Sequence, residues 1–500
     1  MNDSSGMRLH SRYQPQLEAD RYIEALNPSR DIDYYILIEP GLGYLIPSLR
    51  KHCPDSKLVV LHACVRTDAG FHETEDRFSG IPQWFADSGT GVQEFLEDVI
   101  PEGASARIIE WRPSLRVYGN ICLDLVRESA EFIKRSEANR RTGASFGRRW
   151  VRNFFRNLAL PHRTIRYRPL DMPIVITGSG PSLESALSKI HALKENVFIL
   201  AASSSLTALA ACGITPDMVI STDGGGWALL HLHACFRMEY SSNNDPCPLA
   251  FSLSAAIPSQ CSALPLLPLN DGSLWQSIAL HSIKLPSALI PQRGTVSASA
   301  LELAMILGSG NIFLAGMNLS VNDIKTHVRP YGFDHLFFGR ASRFRPVYSQ
   351  CFMRSGDMKA GGSHDVYAAW FKSKIASWPR RIFSLGGNHA AFEDNLPRVI
   401  PAALSAAGAG GRSDKDFFEI IAANDSPEQR CTCAAEALIA ALDNPRYAAA
   451  LSGELAPLLF PSYGGTPPGT DVQPEEIART LRGFAARYGK APFPQGRDNG

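Results

Sequence analysis

Several short segments of this chain carry residue types suited to a charged, phosphorylated ligand. Gly178-Ser179-Gly180-Pro181-Ser182 follows the apolar run 173–177 and precedes Leu183, Ala186, Leu187, Ile190 and Leu193 at helical spacing. A glycine loop between a strand end and a helix start aims backbone N–H groups at one point, which suits a phosphate and points to a nucleotide. Ser203 and Ser204 follow the next apolar run and can bind a ligand or cap a helix. Asp223, before three glycines, can hold a ribose, a sugar hydroxyl or a metal, or cap a turn. Arg293-Gly294-Thr295 opens a second hydroxyl-rich helix start, and Gly386 and Gly387 form another glycine turn. His327, between Lys325 and Arg329, has the side chain that exchanges a proton most readily near neutral pH.

The elements that must position these residues follow from periodicity. Apolar, β-branched runs at 173–177, 196–201, 217–221, 248–253, 311–315 and 381–385 alternate with helical patterns. That alternation predicts an α/β fold with a doubly wound, mostly parallel sheet over 171–400, which binds ligands at the carboxyl ends of its strands. Each candidate segment above follows one of these strands or opens a helix beside them.

Residues 1–130 have an α/β signature of their own, with strands at 35–38 and 57–61 and the turn Gly41-Leu42-Gly43-Tyr44 between them. A GxG turn also occurs in dinucleotide folds, but the second strand ends Leu61-His62-Ala63, without the acid that holds a ribose diol. A Rossmann-like domain without a cofactor is expected. Residues 131–170 read as a connector: nine arginines and no acid lie between Arg140 and Arg168. Phe146, Trp150, Phe154 and Leu158 recur every four residues, with Arg148, Arg149, Arg152 and Arg156 on other faces. This is a linker helix with a solvated arginine face, a surface for an anion or protein, or a helix lying on a membrane. Residues 401–500 read as a helical region, from Ala-rich patterns at 402–409 and 434–442, ending in a Pro- and Gly-rich tail.

Composition narrows the class. At 500 residues two or three domains are expected, and 45% hydrophobic with 20% charged residues is ordinary for a globular protein. A net charge of +1 points to no polyanionic partner, so no nucleic acid is expected. Ten cysteines without CxxC pairs, no apolar leader in the first thirty residues, and no membrane-length apolar run predict reduced thiols and a cytoplasmic location. No metal-ligand set is legible.

The segments GSGPSL, PDMVISTD, RGTVSASALELAMILGSGNIFLAGMNLS and THVRP together resemble the motility-associated factor family of bacterial flagellin glycosyltransferases. The resemblance covers most of residues 30–400, including the GxGY turn and a connecting helix over 150–158. It implies transfer of a nonulosonic, sialic-acid-like sugar from a CMP-activated donor to Ser or Thr of flagellin or another protein, with no prosthetic group. The GPSL loop also occurs in bacterial sialyltransferases and in an archaeal hydroxymethylpterin pyrophosphokinase.

By the resemblance, Gly178, Ser179, Gly180, Pro181 and Ser182 match the nucleotide loop. Ser203 and Ser204 stand where sialyltransferases contact cytidine, and Arg293, Gly294 and Thr295 align with a turn that touches the donor phosphate. His327 matches the base that takes the proton of the acceptor hydroxyl, Lys325 and Arg329 would stabilise the departing CMP, and Tyr331 and His335 are held in reserve. Related proteins show Gly-x-Asp-Leu where this chain has Gly316-Met317-Asn318-Leu319, so Asn318 keeps hydrogen bonding but not charge. Two other classes stay open: a pterin pyrophosphokinase, which needs ATP and Mg²⁺, and a non-catalytic flagellar assembly factor. Oligomeric state is open.

Overall fold

The computed structural model describes residues 9–65, 75–101, 104–237, 246–291, 294–319, 321–360, 367, 371, 382–385, 417–461 and 472–490. The chain divides into two compact units, Met1–Ser145 and Phe146–Gly500. Among the described residues no helix is long and apolar enough to cross a membrane.

The first unit runs α1 (Pro15–Leu26), β1 (Tyr34–Ile38), α2 (Leu45–His52), β2 (Lys57–His62), α3 (Glu75–Phe78), β3 (Gln83–Phe85), α4 (Val92–Val99), β4 (Ala106–Glu110), α5 (Arg112–Tyr118) and the start of α6 (Asn120–Leu158). Its four strands form a parallel sheet in the order β3-β2-β1-β4. The run Tyr34-Tyr35-Ile36-Leu37-Ile38 is apolar throughout because β1 is buried on both faces. Tyr35 and Leu37 pack with Leu45 and Leu49, whereas Ile36 and Ile38 pack with Val92, Leu96 and Leu125.

The second unit takes the end of α6 from Phe146 and continues β5 (Arg163–Tyr167), β6 (Ile174–Thr177), α7 (Leu183–Leu193), β7 (Phe198–Ala202), α8 (Leu206–Ala211), β8 (Met218–Ser221), α9 (Leu229–Arg237), β9 (Leu249–Ser252) and β10 (Leu266–Asn270). Then come α10 (Leu274–Ile283), β11 (Ala288–Leu289), α11 (Val296–Leu307), β12 (Ile312–Ala315), α12 (Asp334–Gly339), α13 (Val347–Ala360), β13 (Ile382–Ser384) and β14 (Phe418–Ala422). Three helices follow, Pro427–Leu442, Ala448–Leu459 and Pro474–Gly489. The ten strands form one sheet in the order β13-β12-β6-β7-β8-β9-β10-β5-β14, with β11 beside β10 and only β14 antiparallel. The expected doubly wound, mostly parallel sheet is present. Val175, Ile199 and Val219 pack with α7 on one face, and Ile174, Ile176, Leu200 and Ile220 pack with α11 on the other.

The strand order reverses between β6 and β12, so the loops after these two strands flank the topological switch point. Arg163–Tyr167, read from the sequence as connector, is a strand, and Phe418–Ala422 is a strand in a region expected to be helical. The helical expectation holds at 434–442, whereas 402–409 lies outside the described residues. Arg430, only 2% exposed, joins α6 to the C-terminal helices. Its guanidinium donates to the carbonyls of Leu158 (2.7 Å), Pro161 (2.9 Å) and Asp425, the first of these at the C-terminus of α6. Burial holds its pKa below the usual arginine value.

Candidate active site

The glycine loop lies against the loop after β12. Gly178 N–H donates to Ala315 O (2.8 Å), Gly180 N–H to Gly316 O (2.7 Å) and Ser182 N–H to Asn318 Oδ1 (2.9 Å). Ser182 Oγ donates to the same Asn318 oxygen at 2.7 Å. A Cβ on Gly178 would stand 2.5 Å from Gly316 O, one on Gly180 would meet Asn318 Oδ1, and one on Gly316, at φ +72°, would stand 2.8 Å from Leu183 Cβ. These glycines therefore permit two backbones to touch at the switch point, and three of the loop amides are already bonded there. The loop still faces the ligand edge, with Ser179 and Gly180 partly exposed.

Hydroxyls line the neighbouring strand ends. Thr177 Oγ1 lies 2.9 Å from Ser205 Oγ, and Ser203 Oγ lies 3.4 Å from Ser221 Oγ. Ser203 is buried and Ser204 half-buried. Asp223 is exposed, and its Oδ1 accepts the Gly225 N–H at 2.7 Å, so it caps its own turn. Thr295 is the N-cap of α11, accepting from Ala298 N–H at 3.2 Å. Arg293, Gly386 and Gly387 lie outside the described residues.

The segment after β12 brings the titratable groups together. His327 stacks on Tyr331 with ring centroids 4.2 Å apart, and its Nδ1 is 3.0 Å from Thr326 Oγ1. Tyr331 Oη reaches His231 Nε2 on α9 at 3.3 Å, and the Arg354 guanidinium on α13 sits 5.8 Å from the Tyr331 ring centre. His231 also stacks on Phe333 at 4.5 Å. Burial pushes the Tyr331 phenol up to about 12, against the Arg354 charge and with the Asp223 charge. Burial and then Arg354 lower His231 from 6.5 to about 4, so its imidazole is neutral at physiological pH. The Tyr367 phenol is raised by burial and then by Asp223, and its ring lies where a Cβ on Gly294 would stand 3.1 Å from Cε1. Asp223 thus lies within electrostatic reach of both Tyr331 and Tyr367.

Two cations expected near a leaving phosphate are engaged elsewhere. Lys325 Nζ pairs with Glu184 at 2.8 Å, and Arg329 pairs with Asp334 while its backbone N–H donates to Glu184 at 3.1 Å. His335 is exposed on α12. His231, Arg354 and Tyr367 carried no motif that singled them out; 27 residues separate His327 from Arg354, and only the fold joins them.

The end of α6 supports this edge. Asn157 Nδ2 donates to the carbonyls of Leu253 and Ala255, each at 2.8 Å, and Asn153 Nδ2 donates to Ser254 O at 3.1 Å. Trp150 packs on Gly224, where a Cβ would stand 2.6 Å from Nε1. Arg148, Arg149 and Arg152 are exposed, with Arg156 half-buried.

Residues 148–323 match the model of a family described as 6-hydroxymethylpterin diphosphokinase MptE-like. The central segment is thus similar to that family. Among sequence relatives, an uncharacterised protein of Treponema pallidum is 28% identical over 307 residues, 60% of this chain and 64% of the relative. The 6-hydroxymethyl-7,8-dihydropterin pyrophosphokinase of Methanothermobacter thermautotrophicus is 28% identical over 174 residues, 31% of this chain and 63% of the relative. The chain thus spans less than two thirds of the length of either relative. The fold extends beyond the MptE-like segment: the Maf glycosyltransferase from Magnetospirillum magneticum has a similar fold, with a TM-score of 0.50 at 12% identity, covering 97% of this chain and 84% of that one.

Proposed function

We propose that this chain is a glycosyltransferase that moves a nonulosonic sugar from a CMP-activated donor to Ser or Thr of flagellin, in the cytoplasm, as part of flagellar glycosylation and motility. The observation that carries the reading is the joined group His327, Tyr331, His231 and Arg354 at the ligand edge of a sheet whose fold is similar to a glycosyltransferase. In the proposed reaction the acceptor oxygen bonds to the anomeric carbon as the bond to the CMP phosphate breaks. His327 takes the hydroxyl proton, the neutral Tyr331 phenol donates to the leaving phosphate, and Arg354 supplies the positive charge. Arg329, paired with Asp334, then positions the 327–334 segment instead of touching the phosphate. Arg293, the 178–182 loop, Ser203, Ser204, Asp223, Thr295, Asn318, Gly386 and Gly387 complete the donor site. A CMP-sugar carries one phosphate, so this chemistry proceeds without a bound metal.

The MptE-like match favours a second reading, pyrophosphoryl transfer from ATP to a pterin alcohol with Mg²⁺. The two are separated by incubating the chain with CMP-nonulosonate and flagellin, or with ATP, Mg²⁺ and the pterin, and reading products by mass. Intact flagellin carrying the sugar mass, absent with His327→Ala, is the expected result. A pyrophosphorylated pterin would establish the second reading, transfer unchanged in His327→Ala would remove His327 from the reaction, and neither product with the wild-type chain would leave the non-catalytic assembly role.

A further inference from the structure

At the carboxyl ends of β1 and β2 in the first unit, three side chains of different chemistry converge. Glu39 and His62 are buried and Cys64 half-buried, and one donor atom from each lies within 4.8 Å of the other two. His62 Nδ1 is 3.7 Å from Glu39 Oε1.

The surrounding backbone and rings hold these atoms in place. Glu39 has φ +40°, a region that costs a non-glycine residue about 1 kcal/mol or more. Its N–H donates to Leu61 O at 2.7 Å, and its Oε2 accepts the N–H groups of Ala63 at 2.6 Å and Cys64 at 3.3 Å. These bonds fix one carboxylate oxygen and turn the other toward His62. The His62 ring stacks on Phe85 at 4.5 Å and meets Phe78 edge-on at 5.4 Å, so its plane is set by packing. Its Nε2 lies 3.2 Å from Gln83 Oε1. With Nε2 as the donor, the Nδ1 lone pair is on the Glu39 side, the tautomer of an imidazole that ligates a metal through one nitrogen and hydrogen-bonds through the other.

We propose that Glu39, His62 and Cys64 form a zinc site. A thiolate with an imidazole and a carboxylate is a donor set for zinc and a poor one for magnesium or calcium, which take oxygen ligands. Bonds of about 2.0–2.3 Å in tetrahedral geometry place donors roughly 3.3–3.8 Å apart. The His62–Glu39 separation already lies in that range. The remaining closure, about 1 Å, falls within a side-chain rotation of half-buried Cys64. Three protein donors leave one position for water or a ligand, at the edge of the sheet where α/β folds bind them. Cys122, whose Sγ lies 3.8 Å from Ser114 O, is not among the donor atoms that converge here.

The test is titration of the chelator-stripped full chain with Zn²⁺ against a chromogenic chelator, and with Co²⁺ by absorption spectroscopy. Expected are one zinc per chain and an intense thiolate-to-cobalt band. Cys64→Ser should abolish the band and weaken zinc binding at least tenfold, while Cys433→Ser, at an exposed cysteine of the second unit, should change neither. Glu39→Gln should keep the band and weaken zinc at least tenfold, covering the case in which a His62→Gln chain does not fold. No stoichiometric zinc, or equal zinc affinity in the wild type and Cys64→Ser, would overturn the proposal.

Discussion

Asn318 is 1% exposed, and its side-chain oxygen accepts two hydrogen bonds from Ser182, so it holds the start of α7 from the loop after β12. Where the resemblance expects an aspartate, asparagine fills this role, because an amide oxygen accepts as a carboxylate does. Asn318→Ala should destabilise the chain by about 1–3 kcal/mol, read by denaturant unfolding, because it orphans a buried N–H and hydroxyl. Asn318→Asp should stay within about 1 kcal/mol of the wild type, since a charge at a helix N-terminus is favourable. At this scale the sequence made the loop residues legible but not the reason for their glycines. A Gly-x-Gly string reads the same whether its missing side chains admit a phosphate or, as at Gly178 and Gly180, a second backbone. The partnership of His327 with Tyr331, His231 and Arg354 was illegible apart from Tyr331, because it joins three elements, the segment after β12, α9 and α13, through the fold. His327→Ala should lower the transfer rate by about 10²–10⁴-fold, and Arg354→Gln should weaken donor binding more than Arg329→Gln does, measured as KM against kcat.

Among the elements, strands with continuous β-branched runs were legible and those with mixed patterns were not. β10 carries Pro268, paired with Phe251, and a proline inside an apolar run argues against an interior strand. β5 carries Arg163 and Arg166 at the edge of the sheet's parallel region, where Arg166 pairs with Glu419 of β14 at 3.2 Å. A partner more than 250 residues away leaves no local trace. At the end of α6 Phe154 and Leu158 are buried while Phe146 is exposed, and its polar positions matter as much as its aromatic ones. Asn157→Ala should cost about 2–4 kcal/mol, because two buried carbonyls of the loop after β9 lose their donor. By contrast, replacing Arg148, Arg149, Arg152 and Arg156 with Ser should leave CMP binding intact and weaken capture of an acceptor protein; unchanged acceptor affinity would count against a docking role for this face.

Across the whole molecule, two buried histidines tie stability to pH. His10 in the first unit and His231 in the second are each lowered from 6.5 to about 4, burial being the first cause for both. The unfolded chain binds protons at these sites below pH 6.5 and the folded chain does not until about 4, so their contribution is full above 6.5 and is lost as pH falls toward 4. Each loss is on the order of 3 kcal/mol. Urea unfolding should show stability falling across that window, with a shallower fall for His231→Gln.

The most direct measurement is calorimetric titration of the purified chain with CMP without added Mg²⁺, beside ATP with Mg²⁺, each repeated on Arg354→Gln. CMP binding that needs no added metal and weakens at least tenfold in Arg354→Gln is the expected result. Binding of ATP with Mg²⁺ and not of CMP would contradict the glycosyltransferase reading.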